Sequence, residues 1–167
     1  MNRARGFTLV ELLIVIVIIT LLAVLTTVNL RGSQANARDT ERKNDVENIV
    51  RGLEGYYVHS ANNARYPSTS LTSASQTDDF ITDALRDIDI KSLRAPGQNT
   101  RSLISATNAT ETVSGVLPSP TINTYVYQPL QSNNALCTSV VQECRRFNLF
   151  YRLESDNTIY KVMSKYQ

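Results

Sequence analysis

The chain has 167 residues, 42% of them hydrophobic and 19% charged, and 17 Lys and Arg against 15 Asp and Glu give a formal charge of +2. That length holds one folded domain plus a short additional segment, not two ordinary domains, and so balanced a charge argues against a strongly basic nucleic-acid-binding surface. With a single histidine, no nucleophile elbow, no phosphate-binding glycine loop and no clustered metal ligands, the sequence offers no catalytic site and no metal site and requires no cofactor. An enzyme is not expected.

From Phe7 to Leu30 runs FTLVELLIVIVIITLLAVLTTVNL, whose only ionisable side chain is Glu11. As a helix this stretch would extend about 36 Å, against a hydrocarbon core of about 30 Å, which predicts a single membrane helix. Arg3 and Arg5 on its N-terminal flank favour a cytoplasmic N-terminus, so everything after Arg31 is expected outside. Three readings of the segment compete. An ordinary secretory signal has an apolar region of about 7 to 15 residues before a small-residue cleavage site. Ala35-Asn36-Ala37 fits that site, but the apolar run is too long and carries Glu11. A permanent signal anchor would tether a monomeric binding domain. The third reading is a leader cut on the cytoplasmic side of the apolar run.

That third reading rests on Gly6-Phe7-Thr8-Leu9-Val10-Glu11, which resembles the processing motif of type IV prepilins and of the pseudopilins of type II secretion. The resemblance implies a leader of residues 1–6, cleavage between Gly6 and Phe7 by a prepilin peptidase, N-methylation of Phe7, and an assembly role for Glu11. Loss of Arg3 and Arg5 would leave 15 basic and 15 acidic side chains. An acidic residue in lipid costs on the order of 2.5 to 3.5 kcal/mol at the bilayer centre. Cleavage creates an amine at Phe7, one turn from Glu11, and a pair formed between helices would fix axial register as subunits add. The resemblance further implies a homo-oligomeric helical filament whose subunit is first held in the cytoplasmic membrane and then lies outside the cell, serving adhesion or motility. An assembly ATPase and a platform protein would be partners. A pseudopilin of type II secretion or a DNA-uptake pilin is the alternative, although nucleic acid is not favoured as a partner despite Arg145-Arg146.

The implied fold is α+β, a long N-terminal helix packed on a small C-terminal antiparallel sheet. Residues 7–30 form the membrane and assembly helix, 31–59 an amphipathic continuation into the globular part, and 60–167 the exterior head. No proline interrupts the chain before Pro67, so the helix is expected to continue to about Tyr57, with Gly32 its nearest flexible point. Ala35, Val46, Ile49, Val50, Leu53, Tyr56 and Tyr57 fall on one face at spacings of three and four. Asp39 with Lys43, and Glu47 with Arg51, have the acid-first spacing of surface ion pairs. The pattern Ala37-Arg38-Asp39, Arg42, Asp45, Ile49, Leu53, Tyr56-Tyr57 and Arg65-Tyr66-Pro67 resembles the helix-to-loop region of major pseudopilins.

Residues 60–77 read as a loop, and Asp78 to Leu93 as a short packing helix using Phe80, Ile81, Ala84, Leu85 and Ile88. The acidic cluster Asp78, Asp79, Asp83, Asp87 and Asp89 lacks the wrapped geometry and glycine of a calcium loop. Residues 95–121 read as a polar surface connection containing a weak glycosylation sequon at Asn108. Strands are expected from Ile122, from Arg146 and from Thr158, the last two joined by a turn at Ser155-Asp156-Asn157. Phe147, Leu149, Tyr151 and Leu153 share one face of the middle strand, and Tyr125, Tyr127, Tyr151 and Tyr160 are expected in the core. In an exported domain Cys137 and Cys144 are expected to form a disulfide closing an eight-residue ring.

Overall fold

The computed structural model describes residues 7–59, 63–86 and 88–166, with side chains 25–31 excepted. The expected leader, residues 1–6 with Gly6, lies outside the described residues. The first helix, α1, is Leu9–Val58, within one residue or two of the sequence expectation, and Gly32 lies inside it. Residues 1–37 and 38–167 form two separate compact units. In the first unit, apolar side chains such as Ile14, Ile18 and Leu21 are at least half exposed. Among the described residues no helix is long and apolar enough to cross a membrane. The apolar run of described side chains within α1, 9–24, has 16 residues, short of the roughly 20 a span takes. The rest of the expected span, 25–30, falls outside those side chains.

The second unit is an α+β head. After the end of α1 come a 3-10 turn at Thr69–Thr72, the helix α2 at Asp78–Leu85, a second 3-10 turn at Ile90–Leu93, and strands β1 (Leu103–Ser105), β2 (Tyr125–Gln131), β3 (Cys144–Arg152) and β4 (Ile159–Met163). The strands lie in the order β1-β2-β3-β4. The sheet is mixed rather than wholly antiparallel: β2, β3 and β4 pair antiparallel as expected, while β1 adds a parallel edge to β2. So short a strand carries almost no periodic signal in sequence.

Val46, Ile49 and Leu53 of α1 share one buried cluster with Ile81 and Leu85 of α2 and with Tyr125, Tyr127, Phe147, Leu149 and Tyr151 of the sheet; Val50, Tyr56 and Tyr57 pack at its margin. Gly52 is needed there, since a Cβ on it would meet the Leu85 carbonyl at 3.0 Å. Pro129 sits inside β2 although proline cannot donate to a ladder. Its nitrogen faces the β1 side, where β1 has already ended, and its carbonyl accepts from Cys137 N–H at 2.9 Å instead.

Other expectations are corrected. The helix expected to reach Leu93 ends at Leu85, where Arg86 takes φ 36° and breaks it, and Phe80 is 47% exposed instead of packed. The segment 95–121 is no mere surface connection: it supplies β1 and then seats Ala106 and Val116 against Val126 and Phe150 on the second face of the sheet. The sheet is therefore buried on both sides over Phe147–Tyr151, not half-buried. Finally, Asp39 is only 4% exposed and pairs with Arg42 rather than with Lys43. The Glu47–Arg51 ion pair is likewise absent among the described residues. Helical spacing places two charges side by side but cannot tell whether the core lies beneath them.

Candidate assembly site

The helix start orients the carboxylate of Glu11, the residue expected to act in assembly. Thr8 immediately precedes α1, and its N–H donates to Glu11 Oε2 at 2.9 Å while Glu11 N–H donates to Thr8 Oγ1 at 3.3 Å. This reciprocal pair is a capping box, tightened by the Thr8 hydroxyl, which donates to the same carboxylate oxygen at 2.7 Å. Thr-x-x-Glu before an apolar run is legible in the sequence, and it gives Glu11 a capping role beside the assembly role expected of it. Phe7, just ahead, is 79% exposed.

Where α1 enters the head, a buried polar lock holds it. Asp39 accepts from the backbone N–H of Glu154 at 2.8 Å and of Ser155 at 2.9 Å, so it caps the turn between β3 and β4. Arg42, 1% exposed, donates to Asp39 at 2.7 Å, to the Ile122 carbonyl at 3.0 Å and to Glu154 at 3.4 Å. Arg38 binds the Glu154 carboxylate through Nε and Nη2 at 2.8 and 2.6 Å. Burial pushes the Asp39 carboxyl upward, but the two backbone donors and Arg42 outweigh it and hold it below the usual carboxylate range. These residues occur in the helix-to-loop pattern, and the structure supplies their reason: they tie one helix to a turn more than a hundred residues away.

Two further carboxylates anchor the same face. Asp45 accepts from the Tyr125 hydroxyl at 2.9 Å, and burial pushes its pKa up to about 7, opposed by that bond and helped by Glu41 and Asp89. Glu54 accepts from the Tyr66 hydroxyl and from Lys165 N–H, each at 2.8 Å. Of the four tyrosines expected in the core, Tyr125 and Tyr127 are fully buried and Tyr151 nearly so, whereas Tyr160 is 38% exposed and stacks on Tyr151 at 5.6 Å.

Cys137 and Cys144 are disulfide-bonded with their Cα atoms 5.7 Å apart. Their carbonyls accept from Thr69 N–H at 3.0 Å and Tyr66 N–H at 2.8 Å, so the ring pins the irregular segment 66–69 to the sheet. The sequon asparagine works as a staple: Asn108 accepts from Leu117 N–H and donates to the Gly115 carbonyl. In the acidic cluster, Asp78 pairs with Arg94 at 2.8 Å and Asp89 caps Lys91 N–H at 3.0 Å, while Asp87 lies outside the described residues. Arg145 and Arg146 do not form one basic patch. Arg145 pairs with Glu143, and Arg146 grips Glu111 with two bonds of 2.8 and 2.7 Å.

Residues 1–27 match the family model for the prokaryotic N-terminal methylation motif. The chain is 43% identical over 70 residues to the type II secretion system core protein G of Klebsiella pneumoniae, covering 41% of this chain and 47% of that protein. It is 40% identical over 67 residues to the same component of Pectobacterium carotovorum subsp. carotovorum, covering 40% and 41%. A third similarity, 38% over 77 residues, is to the type IV wide pilus major component PilA4 of Thermus thermophilus, covering 44% of this chain and 59% of that one. The chain thus spans less than half the length of the secretion relatives it matches. No solved structure matches it. Its N-terminal region thus carries the prokaryotic N-terminal methylation motif and is similar to the corresponding part of type II secretion core protein G and of a type IV pilus component.

Proposed function

We infer that the chain is a structural subunit of a cell-surface type IV pilus, cut after Gly6, methylated on Phe7 and polymerised through its N-terminal helix. The observation that carries this reading is the coincidence of the methylation motif at residues 1–27 with a capped helix start and an exposed apolar helix surface. Such a surface in water demands a partner; lipid fits it before assembly and neighbouring helices afterwards. The precursor is held in the cytoplasmic membrane by that helix and leaves it as the filament grows. A prepilin peptidase, an assembly ATPase and a platform protein are the implied partners, and the subunit's own chemistry is assembly rather than catalysis.

Glu11 supports this reading through its geometry. One of its oxygens receives both Thr8 donors, so the carboxylate is already oriented when cleavage frees the amine of Phe7. Mass spectrometry of the native N-terminus tests the proposal: N-methyl-Phe7 is expected, whereas an intact Met1 would make the segment a permanent anchor and Arg38 an ordinary signal. Glu11→Ala should give processed but unassembled subunits, and normal filaments from that variant would remove the assembly role.

The similarity to core protein G favours a second reading, a pseudopilin of type II secretion. Deletion separates the two. Loss of surface filaments with intact secretion supports the pilus, and the reverse supports the pseudopilin.

A further inference from the structure

The last residues of the chain return to the end of α1 and are held there, although chain ends are ordinarily the least ordered part of a domain. Ser164 N–H donates to the Phe147 carbonyl at 3.0 Å, and Lys165 N–H donates to Glu54 Oε1 at 2.8 Å. Tyr166 then lays its ring on Tyr57, one residue before α1 ends at Val58, with centroids 4.9 Å apart and planes within 3° of parallel. The Arg145 guanidinium neighbours the Tyr57 hydroxyl and steadies that end of the ring. Two phenols held ring on ring are a reactive pair. When each loses one electron, they couple through the ring carbons ortho to oxygen.

Among the described residues three pairs of tyrosines are in ring contact, and exposure separates them. Tyr57 also meets Tyr66 at 4.6 Å, but Tyr66 is 2% exposed and its hydroxyl is engaged by Glu54. Tyr151 and Tyr160 lie 5.6 Å apart with planes 26° from parallel, and Tyr151 is 8% exposed. In the Tyr57–Tyr166 pair neither ring is buried: Tyr57 is half-buried and Tyr166 is 45% exposed. A cleft of about 360 Å³, lined by Tyr57, Val58, His59, Ala64 and Tyr166, gives solvent access beside them. This pair therefore combines the flattest stack with reach from outside. Because the fold already holds the two rings together, their coupling is a unimolecular step.

We propose that Tyr57 and Tyr166 are an oxidative crosslinking site, at which a haem peroxidase and hydrogen peroxide join the C-terminal tail to the end of α1 as dityrosine. Each phenol loses one electron and one proton, and these two electrons and two protons reduce one hydrogen peroxide to two waters. The two phenoxyl radicals then form one carbon–carbon bond between carbons ortho to oxygen. The hydrogen on each of those carbons moves to its own ring oxygen, which restores both phenols. The product is lighter than the parent chain by two hydrogen atoms. The bond gives the head a second covalent hold beside the disulfide of Cys137 and Cys144. It belongs to the head alone and does not depend on the kind of filament the chain builds.

The test uses the full-length chain, dilute in detergent, treated with a haem peroxidase and hydrogen peroxide. The expected product is a monomer with dityrosine fluorescence, an intact mass lower by two hydrogens, and one crosslinked peptide pair whose fragmentation places the bond between residues 57 and 166. Bonds confined to other tyrosines, bonds only between separate chains, or no dityrosine at all would overturn the proposal. Tyr57→Phe and Tyr166→Phe keep the stacked rings and should each abolish the intramolecular product, whereas Tyr56→Phe and Tyr160→Phe should leave it in place. Persistence of that product in either of the first two variants would assign the chemistry to another pair and overturn the site. In the crosslinked chain, amide exchange at Lys165, which donates to Glu54, should slow several-fold. An unchanged rate would overturn the tail-holding role.

Discussion

Asp45 is the buried carboxylate whose removal should stabilise the head. Its pKa is pushed from 3.8 up to about 7 because burial penalises the charged form and Glu41 and Asp89 add repulsion, only partly offset by the Tyr125 hydroxyl. A carboxyl with a raised folded-state pKa keeps its proton in the native head after the unfolded chain has released one. Stability is therefore highest below the unfolded value, falls as pH rises from about 4 to about 7, and is level above that. Three pKa steps at about 1.4 kcal/mol each set an upper bound near 4 kcal/mol for the cost at pH 8. Asp45→Asn keeps an acceptor for Tyr125 and cannot ionise, so it should recover about 2 to 4 kcal/mol at pH 8 and almost nothing at pH 4. Since the chain has eight tyrosines and no tryptophan, near-ultraviolet circular dichroism of the full chain in detergent follows head unfolding as urea is added. The quantity to plot is the stability difference between wild type and variant against pH. A difference that stays constant between pH 4 and pH 8 would refute the assignment of a protonated Asp45, and a variant less stable at pH 8 would show that the charged carboxylate is wanted.

The remaining predictions concern other holds on the head. Asp39→Ala removes the nearest carboxylate from the buried Arg42 and leaves two backbone donors without an acceptor, so a loss of about 3 to 5 kcal/mol is expected in the same urea titration. Because the Asp39 carboxyl sits below its usual range, its contribution is present above the unfolded carboxylate pKa and lost as pH falls through the folded value, opposite in sign to Asp45. Replacing Cys137 and Cys144 by Ser opens an eight-residue ring and should cost about 2 to 3 kcal/mol by chain entropy, read as a lower urea midpoint with little change in slope. Arg146→Ala removes both guanidinium bonds to Glu111 and leaves it held to β3 by Asn148 Nδ2 at 3.1 Å. Amide exchange at Thr107, which donates to the Leu117 carbonyl, and at Val116, which donates to the Thr112 carbonyl, should then speed up by about tenfold or more, corresponding to roughly 1.5 to 3 kcal/mol for charge-assisted bonds.

The helical part of the fold was legible because its signals are local. An unbroken apolar run, a three-and-four spacing through Val46, Ile49 and Leu53, and no proline before Pro67 predict α1 closely, and alternation over Phe147 to Leu153 predicts β3. β1 was not legible, since three residues form a strand only because β2 lies beside them. The burial of Ala106 and Val116 on the outer sheet face was hidden for the same reason. The early end of α2 at Arg86 was invisible to periodicity, which continues through Ile88 while the backbone turns away.

For the candidate site the division is similar. The sequence by itself determined the methylation motif over residues 1–27, the acidic Glu11 within an apolar run, and the presence of two cysteines close enough to close a ring, because each depends on residues near one another in the chain. Only the tertiary structure decided that Asp39 and Arg42 are a buried lock on the β3–β4 turn, that Asp45 meets Tyr125, and that Tyr166 stacks on Tyr57. Those outcomes depend on which face of α1 the sheet covers and on residues 80 to 116 positions apart being brought together. Burial and long-range pairing are properties of the folded chain, and local spacing cannot report them.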